Sequence, residues 1–277
     1  MSAHVVKIRE LTAWGLDDYE YRPKALDSEK LGEASRRVLS RAPFEQSSVL
    51  LKAADPALLN LLAPHTQRSD LLAEMSGLSW SLGIIDLRSL IAFQRRLSFR
   101  PDAPPLAIPA ARNWPSLLDL AFGIAKPVEY ELTHNRATRT LILRSSNPNL
   151  HIATTNDVAS PLSIRTAGPF FEVARFRNRW FLRDGYHRAY ALLRAKVYEV
   201  PAVIILTSTL EELGASQPWF FPEEILFSSS PPRLTDFLED DLVIEYARPA
   251  LIKTLRITME ESFAPATSTG ENHEHRN

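Results

Sequence analysis

Cysteine is absent from the 277 residues. Disulfides, thiolate nucleophiles, zinc knuckles and iron–sulfur ligation are thereby excluded, and the absence suits a reducing compartment. Glycine is scarce at nine residues. Neither common glycine-rich phosphate loop occurs, so few backbone loops could cradle a phosphate unaided. HExxH metal pairs and GxSxG nucleophile elbows are missing too. No uninterrupted apolar run approaches the ~18 residues that span a bilayer. The N-terminal "MSAHVVKIRELTAWGLDDYEYRPK" lacks a basic region followed by a long apolar stretch. A soluble, cytoplasmic protein without a membrane partner is expected. The net charge of −1 excludes a general electrostatic trap for nucleic acid and leaves only local patches open.

What is present reads as globular. Hydrophobic residues make up 45% and charged residues 23%, enough to build a core under a polar surface. The segment Asp27–Ala42 has Leu31, Ala34 and Val38 at helical spacing. "SSVLLKA" (47–53) suggests a strand and "PALLNLLA" (56–63) a proline-opened helix. "LSWSLGIIDLRSLIAFQRRLSF" (78–99) divides into a buried strand and a helix starting near Asp86. "PDAPPLAIPAARNWP" (101–115) holds five prolines and breaks regular structure. Beyond it, "SLLDLAFGIA" predicts a helix, and "VEYELT", "TRTLILR" and "LHIATT" predict strands. "SSSPPRLTDFLEDD" restarts a helix, and "LVIEYARPALIKTLRIT" offers two strands split by Pro249. From Ser262 the polar tail has little to pack and is expected to be disordered.

The most strongly patterned stretch is "WFLRDGYHRAYALLRAKVYEVPAVII" (180–205), a strand, a tight turn, a helix and a strand. Tyr186, Tyr190, Leu193 and Val197 predict one apolar stripe. Asp184 serves as N-cap, and Gly185 eases the turn. The charges are unusual. A helix N-terminus carries free N–H groups and roughly half a positive charge. Yet Arg183, His187 and Arg188 crowd it, with Arg175, Arg177 and Arg179 on the hairpin before. An anion at the turn would satisfy that cluster. A solvated face, with Arg188 paired to Asp184 or Glu172, is the alternative.

The motif "FLRDGYHRAYALLRAKVYEVPAVII" resembles the core of the ParB/sulfiredoxin superfamily. ParB proteins carry GERR at this turn, sulfiredoxins GCHR, and free-serine kinases of the same fold DGHHR; DGYHR is nearest the last. The resemblance implies an α+β fold: a mixed sheet with a strand–turn–helix–strand unit, flanked by further elements. It also implies that the turn, Arg183, Asp184, Gly185, Tyr186, His187 and Arg188, binds nucleotide phosphate. The nucleotide could be ATP, ADP or CTP, with Mg²⁺ by analogy. A fainter likeness, strand–"DL"–glutamine, falls on Asp86, Leu87 and Gln94. It places a core over residues 80–207 with an insertion at about 100–165. Residues 1–79 would flank the core, 208–261 would form a C-terminal extension, and 262–277 the tail.

The departures from the family matter as much. Tyr186 stands where sulfiredoxins carry cysteine, which excludes sulfinic-acid reduction. The partner-bridging and centromere-binding helices of ParB have no visible counterpart. Asp86 and His187 are the only candidates for catalysis, with an N-cap role and phosphate hydrogen bonding as their alternatives. Two functions follow: a nucleotide- or phosphate-binding protein, with phosphotransferase or hydrolase activity left open, and a non-catalytic DNA-associated or regulatory module. In the second, Arg175, Arg177 and Arg179 would meet a nucleic-acid backbone. "QPWFFPEE" (217–224) reads as a loop plugged into the core, and Glu239, Asp240 and Asp241 as a solvated helix end.

Overall fold

A computed structural model describes residues 5–24, 28–51, 56–101, 103–124, 127–147, 149–154, 162–166 and 168–263. The chain divides into two units, one of residues 1–127 and 167–250, the other of 128–166 and 251–277. The second unit interrupts the first at 128–166.

In chain order, the first unit begins with β1 (Val5–Leu11), α1 (Ser28–Leu39), β2 (Leu50–Leu51), α2 (Pro56–Leu62), α3 (Ser69–Glu74) and β3 (Ser79–Asp86). It continues with β4 (Ile91–Ala92), β5 (Arg96–Phe99) and α4 (Trp114–Ala121). The second unit supplies β6 (Glu131–Asn135), β7 (Thr140–Ser145), β8 (His151–Thr154) and β9 (Leu162–Arg165). The first unit resumes with β10 (Glu172–Phe176), β11 (Arg179–Asp184), α5 (Tyr186–Arg194) and β12 (Glu199–Thr207). Then come α6 (Leu210–Leu213), α7 (Glu223–Leu226) and β13 (Val243–Pro249), and β14 (Lys253–Thr258) returns to the second unit. The architecture is α+β.

The main sheet of the first unit has the order β2-β3-β12-β10-β11-β4. The hairpin β10–β11 leads into α5, and β12 returns parallel to β10 on the side away from β11. β12 lies between β10 and β3, which explains its almost unbroken apolar run: Val200, Ala202, Val203 and Ile205 are at most 1% exposed. Pro201 is tolerated inside this central strand for a geometric reason. The Val203 N–H donates to Phe171 O, so the N of residue 201 faces the same side, where β10 has not yet begun. A second sheet, β13-β1-β5, is antiparallel.

The second unit by itself is a three-stranded antiparallel sheet, β14-β7-β6, with the hairpin β8–β9. Among its described residues, Leu143 and Leu150 are the buried apolar ones, at 1% and 0% exposure. No helix among the described residues is long and apolar enough to cross a membrane.

Two helices expected from sequence do not form. After Asp86 only a three-residue 3-10 turn, Leu87–Ser89, precedes β4 and β5. Leu90, Ile91, Ala92 and Phe93 are consecutive and all at most 2% exposed, so this run leaves no side free for the polar face of an amphipathic helix. Its backbone instead bonds to distant strands and loops: Ala92 N–H to Pro232 O, and Phe221 N–H to Phe93 O. Downstream, the "LTDFLEDD" helix is two 3-10 turns, Leu234–Leu238 and Asp240–Leu242. The first is set by Asp236, whose carboxylate accepts from Arg233 N at 2.7 Å. The "SSVLLKA" strand is confined to Leu50–Leu51 among the described residues, and the tail beyond 263 lies outside them.

Candidate functional site

The strand–turn–helix expected at DGYHR is present, and each of its side chains has a definite partner. β11 ends at Asp184, whose carboxylate accepts from Gly185 N at 2.5 Å. Gly185 takes a left-handed conformation, φ +97°, and a Cβ there would meet the Phe171 ring at 2.9 Å. Only glycine satisfies both conditions. α5 then starts without a side-chain cap on its first turn. Tyr186, Leu193 and Val197 of the expected stripe are 2–4% exposed, and Ala189 and Leu192 complete the buried face. Val197 lies past the last helical residue, Arg194.

Tyr186 anchors the helix from below. Its hydroxyl accepts from Phe93 N at 3.0 Å and Gln94 N at 3.3 Å. The "DLRSLIAFQ" segment and the DGYHR turn therefore meet at one phenol oxygen. Burial pushes that phenol's pKa up, so it remains protonated throughout the physiological range. Tyr186→Phe should keep the ring packed but leave two backbone donors without an acceptor. A loss of about 1–3 kcal/mol in denaturant unfolding is expected.

The three cations do not form an open cluster. Arg188 donates to three carbonyl oxygens: Leu120 O at 2.9 Å, Phe170 O at 2.6 Å, and Pro169 O. It thereby clasps the end of α4 and the loop entering β10. Neither Asp184 nor Glu172 is its ion-pair partner. Arg183 instead takes Glu172, which is only 3% exposed. His187 donates through Nε2 to Ser98 O at 2.8 Å and stands edge-on to Phe99. Desolvation lowers the His187 pKa below its ordinary value, outweighing the Ser98 bond, so the ring is neutral at pH 7.

Acids complete the surroundings. Burial raises the Glu172 carboxyl to about 7, against the opposing pull of Arg183, and raises Asp184 as well. Glu74 of α3 acts electrostatically on both and packs on Gly168. Glu172 sits opposite Asp184 across β10 and β11, at a register shift between Glu172 and Val173. A buried acid at this position was missed as a site residue. The only sequence signal was a glutamate interrupting the apolar run "GPFFEVARF".

Asp86 is not brought to the turn. It pairs in register with Glu199 at the start of β12, and Leu87 N–H donates to Tyr198 O. That is the C-terminal end of α5, about 13 Å of helix away from Gly185. Asp86 caps the 3-10 turn by accepting from Arg88 N at 2.9 Å, and it pairs with the Arg88 guanidinium at 2.6 Å. Burial alone would raise its pKa, but the Arg88 bonds prevail and hold it below the usual range.

The hairpin arginines also have structural partners. Arg179 donates to Leu226 O and Ser228 O at 2.6 and 2.8 Å. Arg177, left-handed at φ 56°, pairs with Glu223 and stacks on Phe227. Arg175 is exposed and leans on the Trp180 ring. In "QPWFFPEE", Phe221 is buried as expected, but Trp219 is 54% exposed. Asp240 pairs with Arg9, and Glu239 and Asp241 pair with Arg37. Among the described residues no three His, Asp or Glu gather as a metal site.

No protein-family model, curated protein or solved structure matches the chain.

Proposed function

We propose that this chain is a ParB/sulfiredoxin-like protein that binds nucleotide phosphate at the start of α5, through backbone amides rather than through Arg188. The left-handed Gly185 and the uncapped first turn carry the reading. They leave donors at the positive end of a nine-residue helix, the arrangement that receives anions elsewhere. Arg183 is the cation positioned to help, because its Nε is buried without a partner. ATP, ADP and CTP all present the required phosphate, and Mg²⁺ would arrive on the nucleotide.

The second reading, a non-catalytic regulatory or DNA-associated module of the same fold, is favoured by a different observation. Arg183, His187 and Arg188 already have protein partners, and Glu172, Asp184 and Glu74 add negative charge beside the turn. Of the hairpin arginines, Arg175 alone is both exposed and without an acid partner among the described residues, which makes a nucleic-acid contact there thin.

Thermal unfolding with ATP, ADP, CTP and GTP, with and without Mg²⁺, separates the readings. A nucleotide at 100 times its dissociation constant should add about 2.7 kcal/mol of stability. Arg183→Gln should weaken that effect while the protein stays folded. Unchanged melting with every nucleotide, beside salt-sensitive binding to duplex DNA, would replace the first reading by the second.

A further inference from the structure

The corner where β10, β11 and α5 meet holds more negative charge than its cations neutralise. Glu172 has one ion-pair partner, Arg183, and faces Asp184 across the strand pair. Like charges directly opposite one another on a sheet repel. From α3, Glu74 adds a third carboxyl to the field at Glu172. From α5, Arg188 is near enough to feel Glu172, but its guanidinium nitrogens point to the carbonyls of Leu120, Pro169 and Phe170. β12 brings only Val203 into register. On α6, Glu212 is turned to Ser208 N and Glu211 is exposed.

We propose that Glu172 is a proton-operated latch: protonated, it seats the loop Pro169–Phe171 and the start of β10 against α5, and deprotonated, it loosens them. The physical reason is desolvation. A carboxylate 3% exposed, with one guanidinium against two neighbouring acids, is held out of water at a penalty that a proton removes. The loop it controls is the one clasped by Arg188, and Phe171 is the ring that packs on Gly185. Proton loss at Glu172 is thus communicated directly to the turn that begins α5.

The direction of the pH dependence follows from the raised Glu172 pKa of about 7. The folded state then holds this proton more tightly than the unfolded chain does. The stabilisation is full below the ordinary glutamate range and is lost as pH rises toward the folded value. The melting temperature should fall by roughly 5–10 °C between pH 5 and pH 8. Glu172→Gln, which resembles the protonated acid, should flatten that slope and melt no lower than wild type at pH 8. Amide exchange of residues 168–174, corrected for its intrinsic pH dependence, should accelerate with pH in wild type only. An unchanged slope in Glu172→Gln would overturn the latch. Should that variant not fold, a ¹³C titration of the wild-type Glu172 carboxyl decides: a midpoint near 7 supports the latch, and one below 5 overturns it.

Discussion

Glu10→Ala is expected to lower the unfolding free energy by about 3–5 kcal/mol, the usual penalty for removing one partner of a buried ion pair. Glu10 is fully buried in β1, between β13 and β5. Its carboxylate accepts from Arg22 Nε at 3.1 Å, Arg96 at 2.9 Å and the Tyr246 hydroxyl at 2.7 Å. Alanine would remove the acceptor that two guanidinium groups and a phenol share in a dry site. Asp17 still reaches both arginines, which limits the loss. Glu10→Gln keeps the shape without the charge and should fall between wild type and alanine. Urea unfolding at pH 7 measures both. A change under about 1 kcal/mol in the alanine variant would mean that the network does not hold the β13-β1-β5 sheet. The same network predicts an acid sensitivity. Burial would raise the Asp17 pKa, but Arg22 and Arg96 hold it below its ordinary value. Its stabilisation is present above the unfolded carboxyl range and is lost as pH falls through the folded value.

Arg188→Ala is the second large effect, with an expected loss of about 2–4 kcal/mol from three charge-assisted bonds to carbonyl oxygens. Arg188→Lys should recover only part, because a single ammonium cannot reproduce the planar fork that reaches Leu120, Pro169 and Phe170 together. The consequence for function is practical. By the resemblance, Arg188 is the residue to mutate when testing phosphate binding, yet its loss would unseat the loop beside the turn. Reduced nucleotide binding by Arg188→Ala would therefore report on the fold. Arg183→Gln leaves the carbonyl clasp in place but removes the one ion-pair partner of Glu172, so equilibrium unfolding of both variants, without ligand, sets the baseline for each. An Arg188→Ala protein as stable as wild type would show that the clasp contributes little and restore the residue as a ligand-binding probe.

The local order of elements around α5 was legible because periodicity and turn chemistry agreed. An alternating strand, Asp–Gly, a helical stripe and a Val–Pro strand occupy consecutive residues, and each is decided within a few positions of itself. Gly185 is the clearest example, since a left-handed turn between strand and helix demands glycine whatever surrounds it. Residues 87–99 misled for the opposite reason. Leu87, Leu90 and Ile91 fit a helical spacing, but the hydrogen bonds that decide their conformation come mainly from residues about 90 to 145 positions away. The "LTDFLEDD" turns likewise depend on Asp236, buried against Arg41 of a distant segment.

Composition and pattern alone established a cysteine-free chain with a strand–turn–helix–strand unit at DGYHR and a crowd of basic residues around it, while the α+β class was what the resemblance implied. Tertiary structure decided what those charges face. Sequence shows a charge but not its partner: Glu172 lies 11 residues from Arg183 along the chain, and Leu120 lies 68 from Arg188. A guanidinium aimed at a carbonyl and one aimed at solvent have identical sequences around them. Only the folding of α4 and the Pro169–Phe171 loop over α5 turned Arg188 inward, and only the pairing of β10 with β11 set a buried acid beside Arg183.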